Sequence, residues 1–199
     1  MDTSIFAELV SIEIDTLGGG YFCQEMFDDG RLDPQYKNIY STSGETMFDI
    51  DRLNGGSINT SEAGKMFWAI IDNADAKHKW TWNYKGGDLA NDLKACATNM
   101  MQPLYEQFCK TYISAACQPI VDGNKKLIFN FFYAVYNGAY WFKYFADALS
   151  IYVDKQGITD AETLVEKMIY EREHTGNALI LQGADTLEQI FKQAYFNES

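Results

Sequence analysis

Ile5-Phe6-Ala7-Glu8-Leu9-Val10-Ser11-Ile12-Glu13-Ile14-Asp15-Thr16-Leu17-Gly18-Gly19-Gly20-Tyr21 is the stretch on which the fold turns. Ile5, Phe6, Leu9, Val10 and Ile14 recur at three- and four-residue spacing. That period predicts an amphipathic helix over residues 4–17, with Asp2 or Thr3 as its cap. The three glycines end it and permit backbone angles closed to other residues. Residues 21–58 differ in kind, being rich in Gly, Asp, Asn and Tyr, with turn signals at Asp29-Gly30, Asp33-Pro34, Ser43-Gly44 and Asn54-Gly55. An irregular lobe holding a small hairpin is expected there.

From Thr60 onward the pattern is helical. Met66, Phe67, Ile70 and Ile71 mark one face of a helix over about 61–74. A tryptophan-rich loop with Trp80 and Trp82 leads to a long helix from Asp88, in which Pro103 is a point of kinking or restarting. Leu127, Ile128, Phe131, Phe132 and Val135 mark a helix that breaks at Asn137-Gly138, and Trp141, Phe142, Phe145 and Leu149 continue in the next. Thr159-Asp160-Ala161-Glu162 reads as a capping box, and residues 185–196 as a last helix. One mainly α domain over 1–199, with a small irregular or β lobe near the N-terminus, is the expected architecture.

Composition narrows the partners. The 199 residues include 13 Tyr, 13 Phe and 4 Trp, a load that is mostly core, with a ring-lined groove for sugars as the alternative for part of it. A formal net charge of −12 repels phosphate backbones and anionic bilayers, so nucleic acid and membrane surfaces are not expected partners. Cys23, Cys96, Cys109 and Cys117 show no metal-ligand spacing, and His78 and His174 lie far apart, so neither a metal nor an organic cofactor is expected. The acidic opening residues lack the basic start of a secretory leader. No apolar run reaches a membrane span.

A helix running into a glycine turn, then a polar lobe, then helices suits glycosidic hydrolysis. That reaction needs a carboxylic acid held near the leaving oxygen and commonly a second carboxylate. Three segments, in order, carry a resemblance. Leu17-Gly18-Gly19-Gly20-Tyr21 resembles the Glu-Gly-Gly-Tyr motif of the phage and bacterial N-acetylmuramidases of glycoside hydrolase family 108. Ser43-Gly44-Glu45-Thr46-Met47-Phe48-Asp49-Ile50-Asp51-Arg52 is similar to that family's second motif, a glycine–threonine segment leading into Gly-Ile. Tyr133-Ala134-Val135-Tyr136-Asn137-Gly138-Ala139-Tyr140-Trp141-Phe142 is similar to its Asn-Gly-x-x-Trp-Phe segment. The resemblance is strongest over residues 5–150. It implies a lysozyme-like fold and cleavage of the β-1,4 bond between N-acetylmuramic acid and N-acetylglucosamine in peptidoglycan.

Two departures stand out. Gly18 occupies the position of the catalytic Glu, and Asp49 the position of the glycine before Ile. A glycine can neither donate a proton nor stabilise a charge. Asp49 and Glu45 are the candidate substitute carboxylates, each set against a plain polar turn residue. Glu13 and Asp15 on the first helix, and Glu25, Asp28, Asp29 and Asp51, are further carboxylates near the motifs. The resemblance makes Tyr21, Thr46, Asn137 and Trp141 candidate substrate contacts. Against that stand packing of the glycine turn, capping of a helix end by Asn137, and a core place for Trp141. Peptidoglycan glycan strands are the implied partner, and a phage particle a further one, reached from the host cytoplasm before lysis or within the virion. A catalytically silent glycan-binding or virion structural protein of the same fold is the alternative.

Overall fold

The first helix, α1, spans Thr3–Thr16. Asp2 caps it, its carboxylate accepting from the Ser4 amide at 2.8 Å. In the computed structural model the described residues are 1–16, 21–23, 45–52, 55–74 and 88–197, with the backbone path alone at 21–23, 45 and 88. They form a mainly α-helical chain with one small antiparallel sheet near the N-terminus. The chain divides into two compact units, Asp2–Pro103 and Leu104–Ser199, the latter joined by Met1.

In the N-terminal unit, α1 buries Phe6, Leu9, Val10 and Ile14 of the stripe its spacing predicts, leaves Ile5 half-buried, and buries Ile12 and Glu13 besides. Its outer side is tied down by Lys94, whose Nζ lies 3.0 Å from Asp15 and 3.0 Å from the Ser11 hydroxyl. Strands β1 (Tyr21–Cys23), β2 (Glu45–Met47) and β3 (Ile50–Asp51) pair antiparallel in the order β1-β2-β3. Tyr21 lies opposite Met47, Phe22 opposite Thr46 and Cys23 opposite Glu45.

A short helix α2 (Ser57–Thr60) leads to α3 (Glu62–Asn73), where Ser61 caps by accepting from the Gly64 amide at 3.0 Å. Asn59 fastens α2 to both neighbours. Its amide nitrogen donates to the carbonyls of Asp51 and Arg52, and its amide oxygen accepts from the Trp68 indole at 2.9 Å. Arg52 grips Asp72 through two bonds of 2.8 Å, with its guanidinium 5.1 Å above the Trp68 ring. Such a planar fork adds orientation to attraction.

The long helix α4 (Asp88–Tyr112) carries Pro103 inside it and runs on past it. A proline there removes one amide donor and crowds the preceding turn. Met100, Met101 and Tyr105, on the same stretch of helix, are all buried. The C-terminal unit continues with α5 (Gln118–Asp122), α6 (Lys125–Tyr136) and α7 (Ala139–Ser150). A π-helical turn at Ile151–Lys155 follows, then α8 (Ala161–Glu173), α9 (Ala178–Ile190) and α10 (Ala194–Asn197).

Two boundaries differ from expectation for a capping reason. The cap of α8 is Asp160, accepting from the Thr163 amide at 2.9 Å, one residue beyond the expected Thr159. The last segment is two helices, because Asn177 accepts from the amides of Leu179 and Ile180 and starts α9 well before residue 185. The core of this unit is aromatic: Phe129, Phe131, Phe132, Phe142 and Phe145 are all buried. Their rings meet mainly edge-on or tilted, as at Phe108–Phe142 (5.2 Å, 78°), the arrangement ring quadrupoles favour.

Candidate functional site at the hairpin

β2 and β3 are joined by two residues, Phe48 and Asp49, since Met47 pairs directly with Ile50. Both have left-handed backbone, with φ of 52° and 56°. Positive φ at both central positions is the signature of the tight turn that matches strand twist, and glycine or asparagine normally fills it. Phe48 is a costly occupant, because its Cβ crowds the backbone there. Complete burial against Phe67, 5.9 Å away between ring centres, offsets that cost. Asp49 occupies the second left-handed site, at the tip of the hairpin.

The strand pairing draws together what the sequence separates. Tyr21 and Thr46 stand on adjacent strands, Tyr21 beside Met47 and Thr46 beside Phe22 on one side and Asp51 on the other. The Thr46 side chain is buried. Glu45 begins β2 opposite Cys23; its side chain and that of Tyr21 lie outside the described residues, as do Gly18, Glu25, Asp28, Asp29, Trp80 and Trp82. Asp15 is engaged by Lys94 on an exposed edge of α1. Glu13 is fully buried, a carboxylate on α1 whose burial helical spacing alone does not single out.

Asp49 is exposed, yet the protein around its carboxyl removes enough water to push it up to about 6. The folded chain therefore holds this proton more tightly than the unfolded chain does. The resulting stability is complete below the ordinary value of 3.8 and is lost as pH rises through about 6. Asp49→Asn, which cannot ionise, should gain about 1 kcal/mol over the parent at pH 7 relative to the same comparison at pH 4, a size set by the carboxyl's solvent face. Urea melts at the two pH values measure this difference. A gap between the proteins that does not change with pH would refute it.

The third sequence segment lies in the C-terminal unit. Asn137 ends α6 as its C-cap, followed by Gly138 with φ of 91°. The Asn137 amide oxygen also accepts from Arg172 at 3.3 Å. Trp141 is half-buried, its ring stacked on Phe145 at 6.2 Å and 27°. The residues that sequence reading missed are Arg172 and Asn59, polar anchors inside packed surroundings, which carry no periodic signal. Among the described residues no three His, Cys, Asp or Glu gather as a metal site, and no helix is long and apolar enough to cross a membrane. Comparison with protein-family models, with characterised proteins and with solved structures finds nothing that matches this chain.

Proposed function

We propose that this chain is a lysozyme-like peptidoglycan muramidase in which Gly18 stands in place of the general acid, so that it engages murein glycan while its hydrolysis is silent. One observation carries the reading: β1 and β2 pair so that Tyr21, at the end of the first motif, lies beside Met47 of the second. A helix, a glycine run and a three-stranded sheet are the parts such an enzyme uses to frame a cleft. The left-handed backbone at Asp49 adds support, since it is the position where the resembled family carries glycine. On this reading the sugar lies along the lobe, and the chain meets murein at host lysis or from a phage particle.

Loss of a general acid alone removes a factor of about 10²–10⁴ in rate. Purified murein sacculi treated with the parent and with Gly18→Glu should yield new reducing N-acetylmuramic acid ends from the variant alone, read by mass spectrometry of the muropeptides. Products from neither protein would sink the muramidase reading. The raised carboxyl of Asp49 favours one second reading, hydrolysis with Asp49 as the acid. Then the parent itself releases these products and Asp49→Asn abolishes them.

A further inference from the structure

The start of α6 runs against its own electrostatics. A helix favours acidic side chains in its first turn, where the amides leave a partial positive charge. α6 has no acid there and opens with Lys125-Lys126 directly after its Asn124 cap, in a chain with 28 acidic against 16 basic residues. Asn124 already accepts from the Lys126 and Leu127 amides at 3.0 and 3.1 Å, so the charge left over is that of the lysine side chains. Both lysines line a cavity of about 580 Å³ shared with the start of α8 and with α10. The Lys126 side chain is only 14% exposed, and its ammonium meets Glu162, 60% exposed, at 2.7 Å. The other Glu162 oxygen accepts from the Asn124 amide nitrogen at 3.4 Å. Among the described residues no carboxylate pairs with Lys125. Its ammonium donates to the Tyr195 carbonyl at 3.4 Å and lies 4.4 Å from the centre of that ring. Two cations against one carboxylate leave the cavity locally positive. Phe196 adds an apolar wall, buried against Phe129 and Phe191 at 5.5 and 5.2 Å, and Asn197 lies beside it.

We propose that this cavity binds a small phosphorylated metabolite, with Lys125 and Lys126 holding the phosphate and Phe196 and Asn197 meeting the rest of the molecule. Each ammonium is a point charge with three donors, of which these two lysines each use one. The several oxygens of a phosphate can take the others as charge-assisted bonds. A dianion also offsets both lysines and the positive end of α6 together, which the single charge of Glu162 does not. The cavity has the size of small-molecule sites, so it holds more than a bare phosphate. A long polyanion is disfavoured, because the net charge of −12 acts along its whole length. A small phosphate meets only the local excess of lysine, within a screening length of about 8–10 Å. This site is independent of the muramidase reading, and neither depends on the other.

Titration of the full chain with glycerol 3-phosphate, followed by amide proton–nitrogen spectra and set against sodium chloride at equal ionic strength, tests it. The backbone amides of residues 124–127 and 197 should shift and saturate with the phosphate ester and not with the salt. Lys125→Gln should weaken binding about tenfold, the loss of one charge-assisted contact. Glu162→Gln should tighten it several-fold, because it removes the competing carboxylate and frees Lys126. Changes of opposite sign in two variants on one cavity wall are not what general damage to the fold produces, and spectra that match the parent away from the cavity confirm that both variants fold. Shifts that sodium chloride reproduces, an ester that does not bind the parent, or an affinity that Lys125→Gln leaves unchanged overturns the proposal.

Discussion

Arg172→Ala should cost the C-terminal unit about 3–5 kcal/mol, read as a fall in the urea midpoint with little change in slope. Arg172 is fully buried on α8. Its Nε donates to the Asn130 amide oxygen at 2.9 Å, one terminal nitrogen donates to the Asn130 carbonyl at 3.0 Å, and the other to Asn137 at 3.3 Å. The guanidinium lies 4.3 Å from the centre of the Phe145 ring and 5.1 Å from that of Tyr133. Among the described residues no carboxylate pairs with it, and burial lowers it to about 10. The charge is therefore held by amide oxygens and ring faces, which a weakly hydrated planar cation suits and a compact ammonium does not.

Truncation to alanine removes all of this together. It opens a cavity, strands two acceptors on Asn130, and releases the residue that ends α6. Arg172→Lys should recover little, because one ammonium cannot reach both Asn130 atoms and Asn137 at once, and burial favours its neutral form. Amide exchange should accelerate first at Asn137 and Gly138. A loss below about 1 kcal/mol in the alanine variant would show that packing around the site closes without the guanidinium.

Gly64→Ala should destabilise the N-terminal unit by about 3 kcal/mol, at the upper end of overpacking effects. A Cβ there would sit 2.1 Å from the Ile58 carbonyl oxygen and 2.7 Å from that of Asn59. Both are backbone atoms of α2, so no side-chain rotation relieves the contact. α2 must lift from α3, and Asn59 then loses its grip on the carbonyls of Asp51 and Arg52. The consequence reaches the hairpin, because those carbonyls lie at and just after the end of β3, the strand that leads out of the Phe48–Asp49 turn. Differential scanning calorimetry and the Trp68 fluorescence should change together. An alanine variant that melts with the parent would mean that α2 has slack the packing does not suggest.

The helices were legible because apolar spacing is a local property. Phe6, Leu9, Val10 and Ile14 predict α1 over 4–17, and it spans Thr3–Thr16. The break at Asn137-Gly138 was legible for the same reason: asparagine and glycine end helices through their own backbone preferences, and α6 stops at Tyr136. Cap positions were less so. Asp160 and Asn177 compete with neighbouring hydroxyl, amide and carboxylate residues, and only the direction of one side-chain oxygen selects the winner. A small hairpin somewhere in residues 21–58 was expected; its register was not.

By itself, then, the sequence determined a mainly helical chain, an early glycine run, a polar segment after it, and a formal net charge of −12. Tertiary structure decided the rest. It placed Tyr21 beside Met47, held Phe48 in a left-handed turn through its burial, and enclosed Arg172 between amides and rings. It also set Tyr144 and Tyr152 on Glu171. Each of these joins residues far apart in the chain, and the free energy that fixes them is burial and pairing between segments. Periodicity reports which face of an element is apolar. Which residue of another element fills the space against it is settled only when both are packed.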